Sequence, residues 1–259
     1  MSQQPLDRIP ILVFLGLFVV VTFVIYEIGY RLGAWSKQRE PDGDEGPTGL
    51  IVGSVLGLMA FLLAITMGMA ADRFDTRRGL VLAETNAIGT AYLRAGYLSE
   101  PASTDSRAIL REYVPQRIAT SDTERVAAAI ERSEQLQADL WAIAEEVART
   151  EGSDVVALYI ESVNEIIDLH TNRVVAGVYA RVPVTILWLL IGGIVLSLGL
   201  VGYNAGQGQK RSPLIAIVLV VSLGAVMWLV IDLDRPQDGL ITVSQQPLIE
   251  LQERLETSP

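Results

Sequence analysis

The 259-residue sequence contains a single histidine, His170, and no cysteine. That removes Cys–His nucleophiles and the ordinary zinc sets, which draw on thiolates and imidazoles. No glycine-rich phosphate loop follows a strand-like run. Two acidic groupings have some cation-binding character. Asp232, Asp234 and Asp238-Gly239 begin like a calcium loop, but Pro236 stands where the fifth position must supply a ligand, and no closing glutamate follows. A helix stop with hydrogen bonds is the simpler reading. Asp42, Asp44 and Glu45 lie in a Gly/Pro-rich loop and read as solvated charge. Neither group is taken as a metal site, and no cofactor is expected.

One convergent polar set can be assembled. Asn86, Thr90 and Arg94 recur at i, i+4 and i+8, a polar line on an otherwise apolar helix, and a later helix carries Asn164, Glu165, Asp168 and Asn172. A buried Arg94 needs a carboxylate, with Asp168 or Glu84 as candidates. Together with His170, these residues make either a structural clamp or the polar cluster of a membrane-embedded enzyme. The clamp is preferred and no catalysis is expected. His170 falls on its helix's apolar stripe, which suits a satisfied core or interface histidine better than a pH switch.

These residues sit in a chain built for lipid. Half of it is apolar and 19% is charged, against about 25% in soluble domains. Four stretches can cross a hydrocarbon core, which takes about 20 helical residues: 9–30, 49–71, 182–203 and 213–231. None carries a charge in its central turns; Glu27 lies near the end of the first. The first is too long for a signal-peptide core and is read as retained. The formal charge of −10, without any basic run, argues against nucleic acid as a partner. Four spans place both termini and the 72–181 insert on one side of the membrane. Arg31, Lys37, Arg39, Lys210 and Arg211 in the short loops put the insert outside the cell. Counting its flanking Arg73, Arg77, Arg78, Arg173 and Arg181 reverses that answer.

The organisation expected is a first transmembrane pair over 1–71 with a connecting loop at 31–48, a helical insert over 72–181, a second pair over 182–231 and a C-terminal segment over 232–259. The second span runs into "DRFDTRR" without a breaker, so one helix should leave the membrane and continue to Ser99-Glu100-Pro101. Within the insert, helices are expected over 104–119, from a capping box at Ser121 and Glu124 to about Arg149, and from Asp154 to Arg181, with Pro183 opening the third span. The first and last of these extend spans two and three. The loop at 36–49 reads as mobile, and "QPLIELQERL" (246–255) as a short amphipathic helix.

Along the second span Gly49, Gly53, Gly57, Ala60, Ala64 and Gly68 are spaced 4, 4, 3, 4 and 4, one face of a helix. Small residues let helices approach closely in lipid, so this face is either a packing seam within or between subunits, or the lining of a narrow apolar pore in a ring of copies. Arg73, Arg77 and Arg78 follow one turn beyond, as headgroup anchors or as a pore mouth. The spans hold almost no ionisable residue, unlike proton or solute pumps.

The segment "FDTRRGLVLAETNAIGTAYLRAG" (74–96), the preceding "LGLMAFLLAITMGMAADR", "NEIIDLHTNRV" (164–174) and "IDLDRPQDGLITVSQQPL" (231–248) resemble a widespread bacterial membrane family described as bestrophin-like. Comparison with true bestrophins implies four spans, a large helical insert between the second and third, and a pentameric ion channel lined by the second span. Anion or cation preference differs between members. The Arg-Phe-Pro signature of bestrophins is here Arg73-Phe74-Asp75, and no acidic run like the eukaryotic calcium clasp occurs, so calcium gating is not implied.

The expectation is therefore an all-α integral membrane protein of four transmembrane helices with a helical extramembrane bundle between spans two and three, sited in a bacterial cytoplasmic membrane. Its partners would be the lipid bilayer, further copies of itself (a pentamer by analogy) and inorganic ions. The first functional reading is a passive ion channel; the second is a non-conducting scaffold or sensor whose insert binds a protein. The arginines beyond span two favour anions, whereas 18 acids against 12 arginines in 72–181 favour cations.

Overall fold

The computed structural model describes residues 9–39, 48–118, 122–209, 212–235 and 239–257. Among the described residues the chain forms helices and no strand: α1 (Ile11–Arg39), α2 (Thr48–Ala95), α3 (Ala102–Arg117), α4 (Thr123–Thr150), α5 (Asp154–Val174), a π-helical turn (Val175–Tyr179), α6 (Val184–Gln207), α7 (Pro213–Asp234) and α8 (Gln246–Thr257). Helices α1, α2, α6 and α7 each carry a stretch long and apolar enough to cross a membrane. Their outward faces stay apolar: Leu17, Leu58, Phe61, Leu189, Leu196 and Leu214 are each more than half exposed. This is an all-α integral membrane protein.

Helix α2 is unbroken for 48 residues, about 72 Å at 1.5 Å per residue against a hydrocarbon core of roughly 30 Å. Nothing in 48–95 breaks a helix, and packing supplies what polar residues 72–78 cannot. Ala70, Arg77, Val81 and Glu84 continue one buried line across the exit. The far half of α2 then packs with α3, α4 and α5 around Ile88, Leu110, Tyr113, Leu136, Leu140, Tyr159 and Ile166. Leu248, Leu251 and Leu255 of α8 join the same core, so the C-terminal segment completes the insert bundle. A second core, in the membrane, is built from Phe18, Leu187, Leu190, Ile194, Leu198 and Met227.

Four expectations need correction. Helix α1 does not stop near residue 30 but runs to Arg39, held by Glu27–Arg31 at 3.3 Å and by the Arg39 guanidinium 3.8 Å over the Trp35 ring. Residues 40–47 of the following loop, including Asp42, Asp44 and Glu45, lie outside the described residues. The third span is not an extension of the last insert helix. A π turn and the non-helical Ala180–Pro183 separate α5 from α6, because proline biases its preceding residue away from the helical region. The cap of α4 is Asp122, whose carboxylate accepts from the Glu124 and Arg125 amides; Ser121 lies outside the described residues.

The fourth concerns close packing. Within the chain the glycine seam joins α1 and α6. A Cβ on Gly29 would overlap the Gly199 carbonyl, one on Gly33 that of Tyr203, one on Gly202 that of Tyr26, and one on Gly206 that of Tyr30. These glycines let two backbones touch, which in lipid substitutes for the missing hydrophobic drive.

The stop after α7 follows the hydrogen-bond reading. Asp232 accepts from the amides of Leu240 (2.8 Å) and Ile241 (2.9 Å). Asp234 accepts from the Val182 amide (2.8 Å) and from Arg181 Nε (2.9 Å). Both carboxylates are thus spent on turning the chain and on holding the start of α6; Pro236 and Asp238 lie outside the described residues.

Candidate functional site

All six small residues of α2 stay exposed: Gly49, Gly53, Gly57, Ala60, Ala64 and Gly68. An added Cβ at Gly53, Gly57 or Gly68 would meet nothing within 4 Å, and at Gly49 only Asn204 Oδ1 at 3.9 Å. An adjoining face of the same helix is buried through Val52, Met59, Leu63, Thr66 and Ala70, with Met59 pressed onto Gly193 of α6. A seam within the subunit is therefore not what these residues make. They present a smooth, uncovered stripe along the whole span.

The three arginines beyond the span do not share a direction. Arg78 is exposed. Arg73 turns back along its own helix and donates to Met69 O at 3.2 Å. Arg77 is only 6% exposed and donates to the carbonyls of Leu233 and, at 3.5 Å, Asp234. Those carbonyls are the negative end of α7, a favourable seat for a cation. Arg77 is thus a strut between α2 and α7 and not part of a mouth. Desolvation lowers its pKa, with Asp234 opposing that shift.

The polar clamp forms with other partners. Arg94 is part-exposed, donates to Leu158 O at 2.7 Å and lies 3.8 Å from Glu161. Asn86 and Asp168 are exposed and Thr90 is partly buried, while Asp168 accepts from Asn164 at 3.2 Å. The pairing of Arg94 with Glu84 or Asp168 does not occur, because the 86–90–94 line points away from the core. Glu84, fully buried, is instead held by Arg117 Nε at 2.8 Å and by Arg173 Nη1. Tyr113 donates to Glu84 at 3.4 Å and accepts from Gln137 at 2.9 Å. Arg117 reaches Ser133 at 3.4 Å, and Arg173 reaches Arg117 O at 3.2 Å and Gln245 at 3.5 Å. The cluster thus joins α2, α3, α4, α5 and the approach to α8.

Two buried guanidiniums against one carboxylate leave the cluster net positive, and its neighbours register that. Burial pushes the Tyr113 phenol up, with Arg117 opposing. His170 is 4% exposed and its Nδ1 has no hydrogen-bond partner. Burial first, and Arg117 next, lower its pKa to about 4, with Glu84 opposing and Arg173 adding. It is neutral at ordinary pH. An unfolded histidine titrates near 6.5, so below that value the unfolded chain takes a proton that the folded chain refuses until about pH 4. Stability carried by neutral His170 is complete above pH 6.5 and is lost as pH falls towards 4. Between pH 7 and pH 5 the wild type should lose about 2 kcal/mol more than His170→Gln, read from chemical-denaturation midpoints in detergent. Parallel pH slopes for the two proteins would contradict a buried neutral imidazole.

Arg117 and Arg173 are the residues that sequence reasoning missed, though each lies on its helix's apolar stripe. Arg117 follows Leu110 and Tyr113 by seven and four residues, and Arg173 follows Ile166 and His170 by seven and three.

With this geometry in place, comparison with known proteins is informative. The sequence matches the family described as Bestrophin-like domain over residues 13–248. None of the curated proteins matches it. Among solved structures, one variant of a bacterial bestrophin homologue from Klebsiella pneumoniae superposes with a TM-score of 0.70 at 13% identity, covering 93% of this chain and 97% of that one. Another variant gives 0.69 at 16% identity over 95% and 98%. A structure described only as a membrane protein gives 0.69 at 16% identity over 93% and 97%. At these identities the likeness is one of fold.

Proposed function

The chain belongs to the bestrophin-like family, and from that premise we propose that it assembles as a homo-oligomeric passive ion channel in a bacterial cytoplasmic membrane, with α2 lining the pore. A pentamer is the assembly that analogy with bestrophins favours. The observation that carries the reading is the uncovered small-residue stripe from Gly49 to Gly68, which no atom of the subunit covers. A ring of such helices would surround a narrow apolar path, which gates by dewetting and leaves charge selection to its ends.

The test is flux of chloride, sodium and potassium through purified protein in liposomes, and flux of at least one ion is the expected result. Gly57→Leu, whose Cβ would meet no atom of its own subunit within 4 Å, should preserve folding and cut that flux roughly tenfold or more by occluding the path. Wild-type liposomes tight to all three ions would overturn the channel reading.

A second reading is favoured by the insert's surface. Leu82, Leu93 and Tyr97 on α2 are 53%, 67% and 76% exposed, an apolar display suited to protein contact. A non-conducting scaffold or sensor that binds a partner through this face is the alternative. A monomer, or a dimer with no axial path, would support it over the channel.

A further inference from the structure

We propose that the cleft between α6 and α7, at the membrane face remote from the insert, binds the acyl chain of one bilayer phospholipid. The site lies within a single subunit, whether or not the assembled protein conducts. Gln207 ends α6 and Pro213 begins α7, and helices so closely connected ordinarily pack against each other. The glycine seam works against that here. Gly202 and Gly206 draw α6 onto the backbone of α1, and the adjoining face of α6 stands off α7. A cavity of about 530 Å³ opens between them, within the range of about 300–1,000 Å³ usual for small-molecule sites.

Its walls suit an amphiphile. The mouth is polar and uncharged, formed by Thr48, Asn204, Gln207 and Ser212. Val201, Ala216 and Leu219 make the deeper wall, and Leu219 lies about 10 Å along α7 from Ser212 at 1.5 Å per residue. The lining helices are all membrane spans, and Ile215 at the cavity's edge is 69% exposed, so at this depth the cavity faces lipid and not water. A recess left empty is costly, because its lining atoms lose their dispersion contacts outright. An acyl chain from the bilayer restores them. The Asn204 and Gln207 carboxamides then offer N–H groups to the ester and phosphate oxygens that follow the chain. No charged side chain is among the described residues that line the cavity, so the site reads chain and glycerol ester but not headgroup charge.

Native mass spectrometry of the full-length protein, delipidated in detergent and titrated with phosphatidylglycerol or phosphatidylethanolamine, tests this. One lipid per subunit should survive collision energies that strip the surrounding annulus, with similar retention of the two headgroups. Ala205→Trp, which fills the cavity from its half-buried α6 wall, should weaken retention roughly tenfold or more. It should also abolish the rise in thermal midpoint that added lipid gives the wild type. Ile217→Trp, on the outward face of α7, should change neither readout. Size-exclusion chromatography checks that the variants assemble as the wild type does, and Val201→Trp replaces Ala205→Trp if the latter does not fold. Equal retention by the wild type and the cavity-filled variant, or retention confined to one headgroup, overturns the assignment. So does a wild type from which every lipid is stripped alike, the result expected if a neighbouring copy fills the cleft.

Discussion

Replacing Gly202 by alanine is expected to abolish accumulation of monodisperse protein, whereas alanine at Gly57 leaves it unchanged. The two glycines are similar in sequence context, each inside an uncharged span. Their surroundings differ completely. A Cβ at Gly202 would overlap the Tyr26 carbonyl oxygen and stand 3.0 Å from both Tyr26 C and Tyr30 N. No rotamer change relieves a clash with backbone, so α1 and α6 must separate. Separation would also loosen the contacts at Gly29, Gly33 and Gly206, which belong to the same seam. Overpacking a well-fitted interface costs about 1–3 kcal/mol even where side chains can yield, so the cost against rigid backbone should reach or exceed the top of that range. Gly206→Ala, whose Cβ would also come 2.7 Å from Ala34 N, should behave alike. Detergent extraction, size-exclusion profile and thermal midpoint are the readouts. Normal folding of Gly202→Ala would mean that α1 and α6 stand farther apart than described.

That contrast also locates what the sequence can and cannot convey. Hydropathy alone yields the four spans, because lipid demands long uncharged helices whatever the rest of the chain does. The exit of α2 into water is legible for a local reason: no proline or glycine pair interrupts 72–95. Pairing is different. Periodicity places Gly49 to Gly68 on one face but is silent on what that face meets. The true intrachain seam was available in a weaker signal, the four-residue spacing of Gly29 and Gly33 and of Gly202 and Gly206, which is the small-xxx-small pattern of touching helices. Proline carried a signal that was read only in part: Pro183 opens the third span as expected, and because the residue before a proline is disfavoured in a helix, the preceding helical stretch already ends at Tyr179.

Legibility of the polar cluster follows the same division. Glu84 is recoverable because it falls on the apolar line through Val81 and Ile88, where a carboxylate can stay only if paired. Its partners are not, since Arg117 lies 33 and Arg173 89 residues away and only tertiary packing brings them together. Arg94 is misleading for an instructive reason. It shares a line with Asn86 and Thr90, and a polar line on an amphipathic helix is ordinarily the solvent side.

Glu84→Gln should therefore be the most damaging single change in the insert. It removes the one negative charge that Arg117 and Arg173 share and leaves two guanidiniums facing each other beside Tyr113 in a dry core. Breaking a buried ion pair from one side costs about 3–5 kcal/mol, and here one substitution strands two cations. Arg117→Met should cost less, because Glu84 and Arg173 remain as a neutral pair. The triple variant Glu84→Gln/Arg117→Met/Arg173→Met should recover much of the loss, since apolar replacement of a whole buried cluster is often tolerated. Arg94→Ala should cost about 1 kcal/mol or less, its partner Glu161 being 72% exposed and surface pairs contributing little. Denaturation midpoints of the purified variants would rank them. An Arg94→Ala protein as unstable as Glu84→Gln would reassign the clamp to the outer line. The predicted ranking would instead show that α2 is fastened to the insert through Glu84, so that any movement of α3 or α5 at this cluster is felt along the helix that enters the membrane.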